Sequence, residues 1–482
     1  MNDLKPVLYI IGILISFTGS MMFLPMIVDL LNYSDDWKTF MISGLFTIAI
    51  GLSLILIFRN KILKLSVRQA FLLTVLSWII VAFFSSIPFV LGDTKLSFID
   101  AFFESVSGVT TTGSTVIVDL DNLSRGILLW RSLLQWFGGI GIILLALSVL
   151  PMLQIGGMQL FHLESDDPYE KTLPRIGKSG LEIASIYLTL TLACSAMYYF
   201  SGMGGFDAIA HSMTTISTGG FSTYNQSFAE FNSNSIEWIC LIFMILGSLP
   251  FVIFLKSIHG DSKVIFKDDQ IKLFFSIIVI LVVVMTLWLI VFSNQPLSTS
   301  IRESAFNIVS ILTGTGYSST NFNLWGSFGL VVLFVIMFIG GCAGSTTGGI
   351  KIFRIKLLFG AGKIQIKKLI QPHGVFVSKF NGKTIKEEAY YSVMGFFFLY
   401  IALFSLVAAS LAAMEIDFLT AVSASASAIS NVGPGLGDII GPSGNYASLP
   451  DLAKIILSLT MVIGRLEIFT FLVLLSLNFW KA

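Results

Sequence analysis

Val109-Thr110-Thr111-Thr112-Gly113 decides the fold, because a run of this kind occurs four times. The others are Thr215-Ile216-Ser217-Thr218-Gly219, Leu312-Thr313-Gly314-Thr315-Gly316 and Ile429-Ser430-Asn431-Val432-Gly433. Their closing glycines lie 106, 97 and 117 residues apart. Each run follows a short half-apolar segment led by an acid, and each sits between two long apolar stretches. The recurrence predicts one structural unit built four times into a single chain.

Composition sets the solvent. The 482 residues are 55% hydrophobic and 12% charged, with a mean hydropathy of +0.87. A soluble domain carries about 25% charged residues, so this is an integral membrane protein whose main partner is the lipid bilayer. Its polar connections are too short to fold alone. A net charge of +1, with no basic stripe interleaved with aromatics, points away from nucleic acid. Cys194, Cys240 and Cys342 have no metal-ligand spacing and imply no disulfide framework.

A span needs about 20 apolar residues. Ten stretches qualify: roughly 7–31, 39–58, 70–92, 128–151, 181–202, 236–255, 271–293, 327–350, 390–413 and 452–479. The first is too long for the apolar core of a signal peptide and no small-residue cleavage site follows, so it reads as a retained span. Four half-apolar segments, beginning near Phe98, Phe206, Ile301 and Asp417, are too short to cross and read as re-entrant pore helices. The fold class expected is all-α integral membrane: about ten transmembrane helices with four re-entrant pore helices in fourfold pseudo-symmetry around a central pore. The divisions expected are 1–66 for two extra N-terminal helices, then pore repeats at 67–165, 166–262, 263–380 and 381–482.

Lysine and arginine orient the chain. With the N-terminus cytoplasmic, 22 of the 29 basic residues fall on the inner side, among them Arg59, Lys61, Lys64, Arg68, Lys171, Arg175, Lys178 and the run from Lys351 to Lys386. Lys38, Lys95, Arg125, Arg131, Arg302 and Lys454 fall outside, and Arg465 lies within a span. This asymmetry sets all four glycine runs near the outer face.

A pore helix entering from outside points its carbonyl end at the membrane centre, where its partial negative charge favours a cation. The chain must then turn, and glycine permits the required φ/ψ without a side chain in the path. Four such loops make a ring of carbonyls of the kind that selects dehydrated cations. The candidate ion-binding residues are Thr110, Thr111, Thr112 and Gly113; Ser217, Thr218 and Gly219; Gly314, Thr315 and Gly316; and Asn431, Val432 and Gly433. The third copy, Gly314-Thr315-Gly316-Tyr317, looks like a degenerate Thr-Val-Gly-Tyr potassium filter. A lone Thr/Gly cluster would read as a cap or turn; four at matching positions do not. Asp100, Asp207, Glu303 and Asp417 read first as helix caps, with cation concentration in an outer vestibule as a compatible second role.

On these residues the chain resembles the Trk/Ktr/HKT superfamily of cation uptake proteins, in which four fused span–pore–span units form one pore. The extra N-terminal spans and the inner loop from Met158-Gln159-Leu160-Phe161 to Pro174-Arg175 resemble the bacterial TrkH-type subunit. The resemblance implies uptake of potassium across a bacterial inner membrane, with potassium held at the filter positions. Glycine in all four copies implies selectivity for potassium over sodium, and Asn431-Val432 in place of Thr111-Thr112 is a departure in the fourth. It also implies a homodimer and a cytosolic nucleotide-binding TrkA-type regulatory ring. The basic surface from Lys351 to Lys386 suits such docking, although positive-inside charge alone would also produce it.

Two features suggest a gate. Gly340-Gly341-Cys342-Ala343-Gly344-Ser345-Thr346-Thr347-Gly348-Gly349 is too rich in glycine for continuous helix. It interrupts span 8, and the resemblance implies a mobile intramembrane loop whose gating residues are Gly344, Ser345, Thr346, Thr347 and Gly348. Ile350 before Lys351 breaks the Gly-Lys-Ser/Thr pattern of a phosphate loop. Arg465 lies mid-span, and a charge at that depth costs at least about 2.5 kcal/mol and is functional by default. Glu467, two residues on, faces another side. Arg465 is therefore expected to point into the pore, and Lys351 to snorkel at the inner face. The main rival is a proton- or sodium-coupled potassium symporter, although no Asp/Glu/His relay is evident and His211 reads as satisfied locally. Four scattered histidines without His-Glu-x-x-His spacing argue against an intramembrane enzyme.

Overall fold

Backbone polar groups have no water to bond within a bilayer, so spanning segments close their hydrogen bonds internally as helices. The computed structural model describes residues 4–59, 65–148, 176–260, 263–377, 379–385 and 387–481. The inner loop 158–175 and Lys61, Lys64 and Lys386 lie outside the described residues. Seven described helices are long and apolar enough to cross: Lys5–Leu31, Trp37–Ile57, Val67–Leu91, Arg125–Leu145, Gly180–Phe200, Asp269–Ser293 and Glu387–Ala412. Two bent pairs bring the number to nine. The eighth stretch, the one left over, holds only a short helix, Gly326–Met337, before the chain leaves helical form. It resumes as Ile352–Ile370. A small hairpin pairs Lys379–Phe380 with Lys383–Thr384.

The pore helices are Phe98–Val109, Gly205–Ile216, Leu297–Leu312 and Phe418–Ser430. All carry largely buried residues in their C-terminal halves, so their carbonyl ends converge in the interior. Their leading acids do different work. Asp417 is a true N-cap, accepting from the Thr420 N–H at 3.0 Å. In the first copy Ser97 is the cap, and Asp100 pairs with Lys454 at 2.5 Å. Asp207 accepts from the hydroxyls of Thr223 and Tyr224. Glu303 corrects the expectation: helix Leu297–Leu312 starts earlier than the sequence suggests, behind Pro296, so Glu303 lies past the first turn and accepts from Gln295 at 3.3 Å.

Lys5–Met21 and Trp37–Ile57 pack through small residues. Gly12, Gly19, Gly44 and Gly51 are buried between them. A methyl added at Gly12 would meet the Gly51 carbonyl at 2.9 Å, and one at Gly19 would meet the Gly44 carbonyl at 2.9 Å. Within a bilayer, close backbone approach of this kind supplies the packing that hydrophobicity does not. Asp29 ties this pair to the rest of the protein by accepting from the Gly126 N–H at 2.6 Å. Gly19→Val should therefore destabilise the detergent-solubilised protein by about 1–3 kcal/mol, the usual cost of overpacking. Gly141→Ala, where nothing lies within 4 Å of the added carbon, should leave the melting temperature unchanged in thermal denaturation.

Candidate ion filter and the loop beneath it

Each pore helix ends in the same sequence of backbone states. Thr111 (φ 52°), Thr218 (φ 50°), Gly314 (φ 70°) and Asn431 (φ 56°) turn into the left-handed region. The N–H of the next residue folds back to the helix: Thr112 to Ser107, Gly219 to Thr214 and Thr315 to Ser310, each at 2.9 Å, and Val432 to Ser427 at 3.0 Å. A left-handed glycine follows: Gly113 (φ 88°), Gly220 (φ 78°), Gly316 (φ 80°) and Gly433 (φ 107°). The second copy thus sits one residue later than its run suggests. Gly220 is the counterpart of Gly113, and Gly219 is that of Thr112, Thr315 and Val432.

The four loops close on one another. A methyl at Gly113 would strike the Gly219 carbonyl oxygen, and one at Gly220 the Thr315 oxygen. One at Gly316 would strike the Val432 oxygen, and one at Gly433 the Thr112 oxygen. Copy 1 therefore abuts 2, 2 abuts 3, 3 abuts 4, and 4 returns to 1. Glycine is required here by φ and by space together.

Side chains hold the ring from behind. Thr110 and Thr112 share a hydroxyl hydrogen bond at 2.7 Å, as do Thr313 and Thr315 at 2.8 Å. Asn431 donates to the Thr112 hydroxyl at 2.9 Å and to the Met461 carbonyl at 3.0 Å. The Gly433 carbonyl accepts from Ser114, Ser427 and Tyr446, which leaves it no free lone pair. The Thr111 hydroxyl and the Asn431 side-chain carbonyl oxygen are buried without a protein partner. His211 is satisfied locally, by the Asp207 carbonyl at 2.9 Å and the Ser222 hydroxyl at 3.0 Å. Gln135 was not singled out from the sequence. It donates to the Gly219 carbonyl at 2.7 Å and accepts from the Phe221 N–H at 3.0 Å. Its signal was a polar side chain one turn from Arg131 in an apolar span.

The glycine-rich loop lies directly below. Thr346 donates its hydroxyl to the carbonyls of Ile216 (3.1 Å) and Gly247 (2.9 Å) and accepts from Thr218 at 3.1 Å. A methyl at Gly348 would collide with the Ser430 carbonyl. Ser345 and Thr347 bond each other at 2.9 Å, and Gly344 is left-handed. The loop also answers a break in span 6, whose two halves, Asn234–Gly247 and Phe251–Ile258, meet at 89° beside Pro250. The freed Phe251 N–H reaches the Gly344 carbonyl at 3.0 Å, and the Ser248 carbonyl accepts from Cys342 at 3.1 Å.

Arg465 is not within a continuous helix. It ends Asp451–Arg465, and the chain turns 112° into Ile468–Leu475, with Glu467 left-handed at the corner. A buried charge thereby comes to face a loop instead of lipid. Arg465 Nη2 donates to the Thr346 carbonyl at 2.8 Å, while its Nε and Nη1 have no protein partner. Glu467 turns the other way to pair with Arg354 at 2.6 Å. Lys351 also departs from expectation: it points inward, donating to the carbonyl and hydroxyl of Thr347. A cavity of about 30 Å³ lies among Gly344, Thr347, Lys351 and Arg465.

A family model described as TrkH, cation transport protein, matches residues 37–481. The Trk system potassium uptake protein TrkI of Halomonas elongata is 40% identical over 478 residues, covering 99% of this chain and 97% of that one. TrkH of Escherichia coli K12 is 37% identical over 478 residues, covering 98% of each. The crystal structure of the potassium transporter TrkH from Vibrio parahaemolyticus superposes with a TM-score of 0.92 at 36% identity, covering 99% of this chain and 100% of that one. With a closed fourfold ring, an intramembrane loop beneath it and likeness along its whole length, this chain belongs to the TrkH family of cation transport proteins.

Proposed function

We propose that this chain carries potassium into a bacterial cell across the inner membrane, with its N-terminus cytoplasmic. The observation that carries the reading is the cyclic contact of the four loops, each glycine lying against the next copy's carbonyl. Four carbonyl-bearing strands held at fixed spacing, at the negative ends of four pore helices, suit a dehydrated monovalent cation. The partnerless oxygens of Thr111 and Asn431 suit it too, since buried acceptors left empty are costly. The relatives named for potassium uptake make potassium the substrate of choice. The repeats run from 67 to 165, 166 to 262, 263 to 380 and 381 to 482.

Below the filter, Arg465 and the loop form the gate. A guanidinium under the ring repels an incoming cation, and the repulsion is strong where water is excluded. The hydrogen bond to Thr346 neutralises little of that charge and fixes it in place. Moving the loop breaks this bond together with those from Thr346 to copy 2. Loop position and filter support are thereby linked. A homodimer bound to a cytosolic nucleotide-binding TrkA-type ring is the regulated assembly of this reading, docked on the exposed lysines of the basic stretch, Lys363, Lys367, Lys368 and Lys379.

In liposomes holding the purified protein, rubidium should enter and sodium should not. Gly113→Ser and Gly220→Ser should each admit sodium; a mutant ratio equal to the parent's would contradict the ring. Arg465→Ala should raise rubidium flux roughly tenfold, the effect of lowering a barrier by about 1.4 kcal/mol. That rise should persist with no proton or sodium gradient, whereas a coupled symporter would require one.

A further inference from the structure

Counting back from the ring residues Thr112, Gly219, Thr315 and Val432, the same pore-helix position holds Glu104, His211, Asn307 and Ala424. Three of these side chains reach the outer strand of their own copy. His211 bonds the Ser222 hydroxyl at 3.0 Å. Asn307 donates to the Ser319 hydroxyl at 3.0 Å and accepts from the Ser319 N–H at 3.3 Å. Glu104 accepts from the Val116 N–H at 2.9 Å and the Thr115 hydroxyl at 3.0 Å. In the fourth copy the neighbouring Ser423 accepts from the Leu436 N–H at 2.9 Å instead.

Only Glu104 in this set is an acid, and it has a buried cation of its own. Arg131 Nε lies 2.8 Å from Glu104 Oε1, with both side chains essentially inaccessible. Arg131 Nη1 then crosses to the second copy and donates to the Ser222 carbonyl at 2.8 Å. Its guanidinium lies 4.0 Å over the Phe221 ring. A continuous chain thus runs from the copy 1 strand through Glu104, Arg131 and Ser222 to His211. Arg131 also lines a cavity of about 70 Å³ at the outer mouth, together with Gly113, Gly220, Gly316 and Gly433.

We infer that Glu104 and Arg131 are specificity-determining positioning residues, which fix the spacing of filter copies 1 and 2. A buried ion pair is weak evidence for stability, since an apolar pair of similar volume is often as stable. Geometry is what it supplies: one carboxylate holds two groups of one strand, and one guanidinium holds the carbonyl of the next. Glu104→Gln keeps the shape, weakens the hold on Thr115 and Val116, and leaves the Arg131 charge uncompensated at the mouth. Discrimination between ions that differ by a fraction of an ångström depends on that spacing. This inference rests on the filter reading above.

The test is the sodium-to-rubidium flux ratio in liposomes, with melting temperature measured on the same preparations. Glu104→Gln should raise the ratio roughly tenfold, as expected when one buried charged hydrogen bond is lost from the rubidium-selective state. Thr115→Val, a milder change on the strand itself, should raise it in the same direction if Glu104→Gln does not fold. Lys454→Gln breaks the part-buried pair with Asp100 at the far end of the same pore helix, so it should lower the melting temperature without moving the ratio. A ratio unchanged in Thr115→Val and in folded Glu104→Gln overturns the inference. So does a Lys454→Gln ratio that shifts as much as theirs. A parent that does not distinguish rubidium from sodium would instead defeat the filter reading itself.

Discussion

The molecule depends on one steric constraint: four left-handed glycines, each with its Cα against a carbonyl of the next loop. A side chain at any of them would push the next loop's carbonyl away. Because the contacts close in a ring, a shift in one loop is passed to its neighbours, and the spacing of the four strands is set jointly. The hydroxyls and amides behind the ring, from Thr110 to Tyr446, then act on a geometry already nearly determined. Interiors packed this closely do not deform continuously, which is what discrimination between similar ions requires.

The second constraint is the bilayer's intolerance of free backbone groups. Among the described residues, the chain leaves helical form for two residues or more inside spans at 248–250, 338–351 and 466–467. These breaks satisfy one another. The loop supplies partners to the carbonyls of Gly247 and Ser248 and to the N–H of Phe251, and its Thr346 carbonyl takes Arg465. The non-helical loop is thereby held by hydrogen bonds to the other breaks, and its Thr346 hydroxyl attaches it to the second copy through Thr218 and Ile216.

Spans, pore helices and the four runs were legible because hydropathy and recurrence are local properties of the chain. Three things were not. The second run is followed by a further glycine, and only the folded backbone, with the Gly219 N–H bonded to Thr214 and Gly220 left-handed against the Thr315 carbonyl, shows that Gly220 is the ring glycine. The inward turn of Lys351 rests on its bonds to Thr347 within a loop of irregular backbone, and the 112° corner after Arg465 accompanies the long-range contact from Arg465 to Thr346. Glu104, Arg131 and Gln135 are ordinary polar letters until folding brings 27 residues of separation down to 2.8 Å. A charged or amide side chain inside an apolar span was the available clue, and it gives the fact of a role without the partner.

The central claim is that a cation occupies the ring, and crystals grown in rubidium test it most directly by anomalous scattering. The account predicts peaks on the axis enclosed by Thr112, Gly219, Thr315 and Val432, lost on replacement of rubidium by sodium. Rubidium absent from the ring, or bound equally well in sodium-filled crystals, would contradict it.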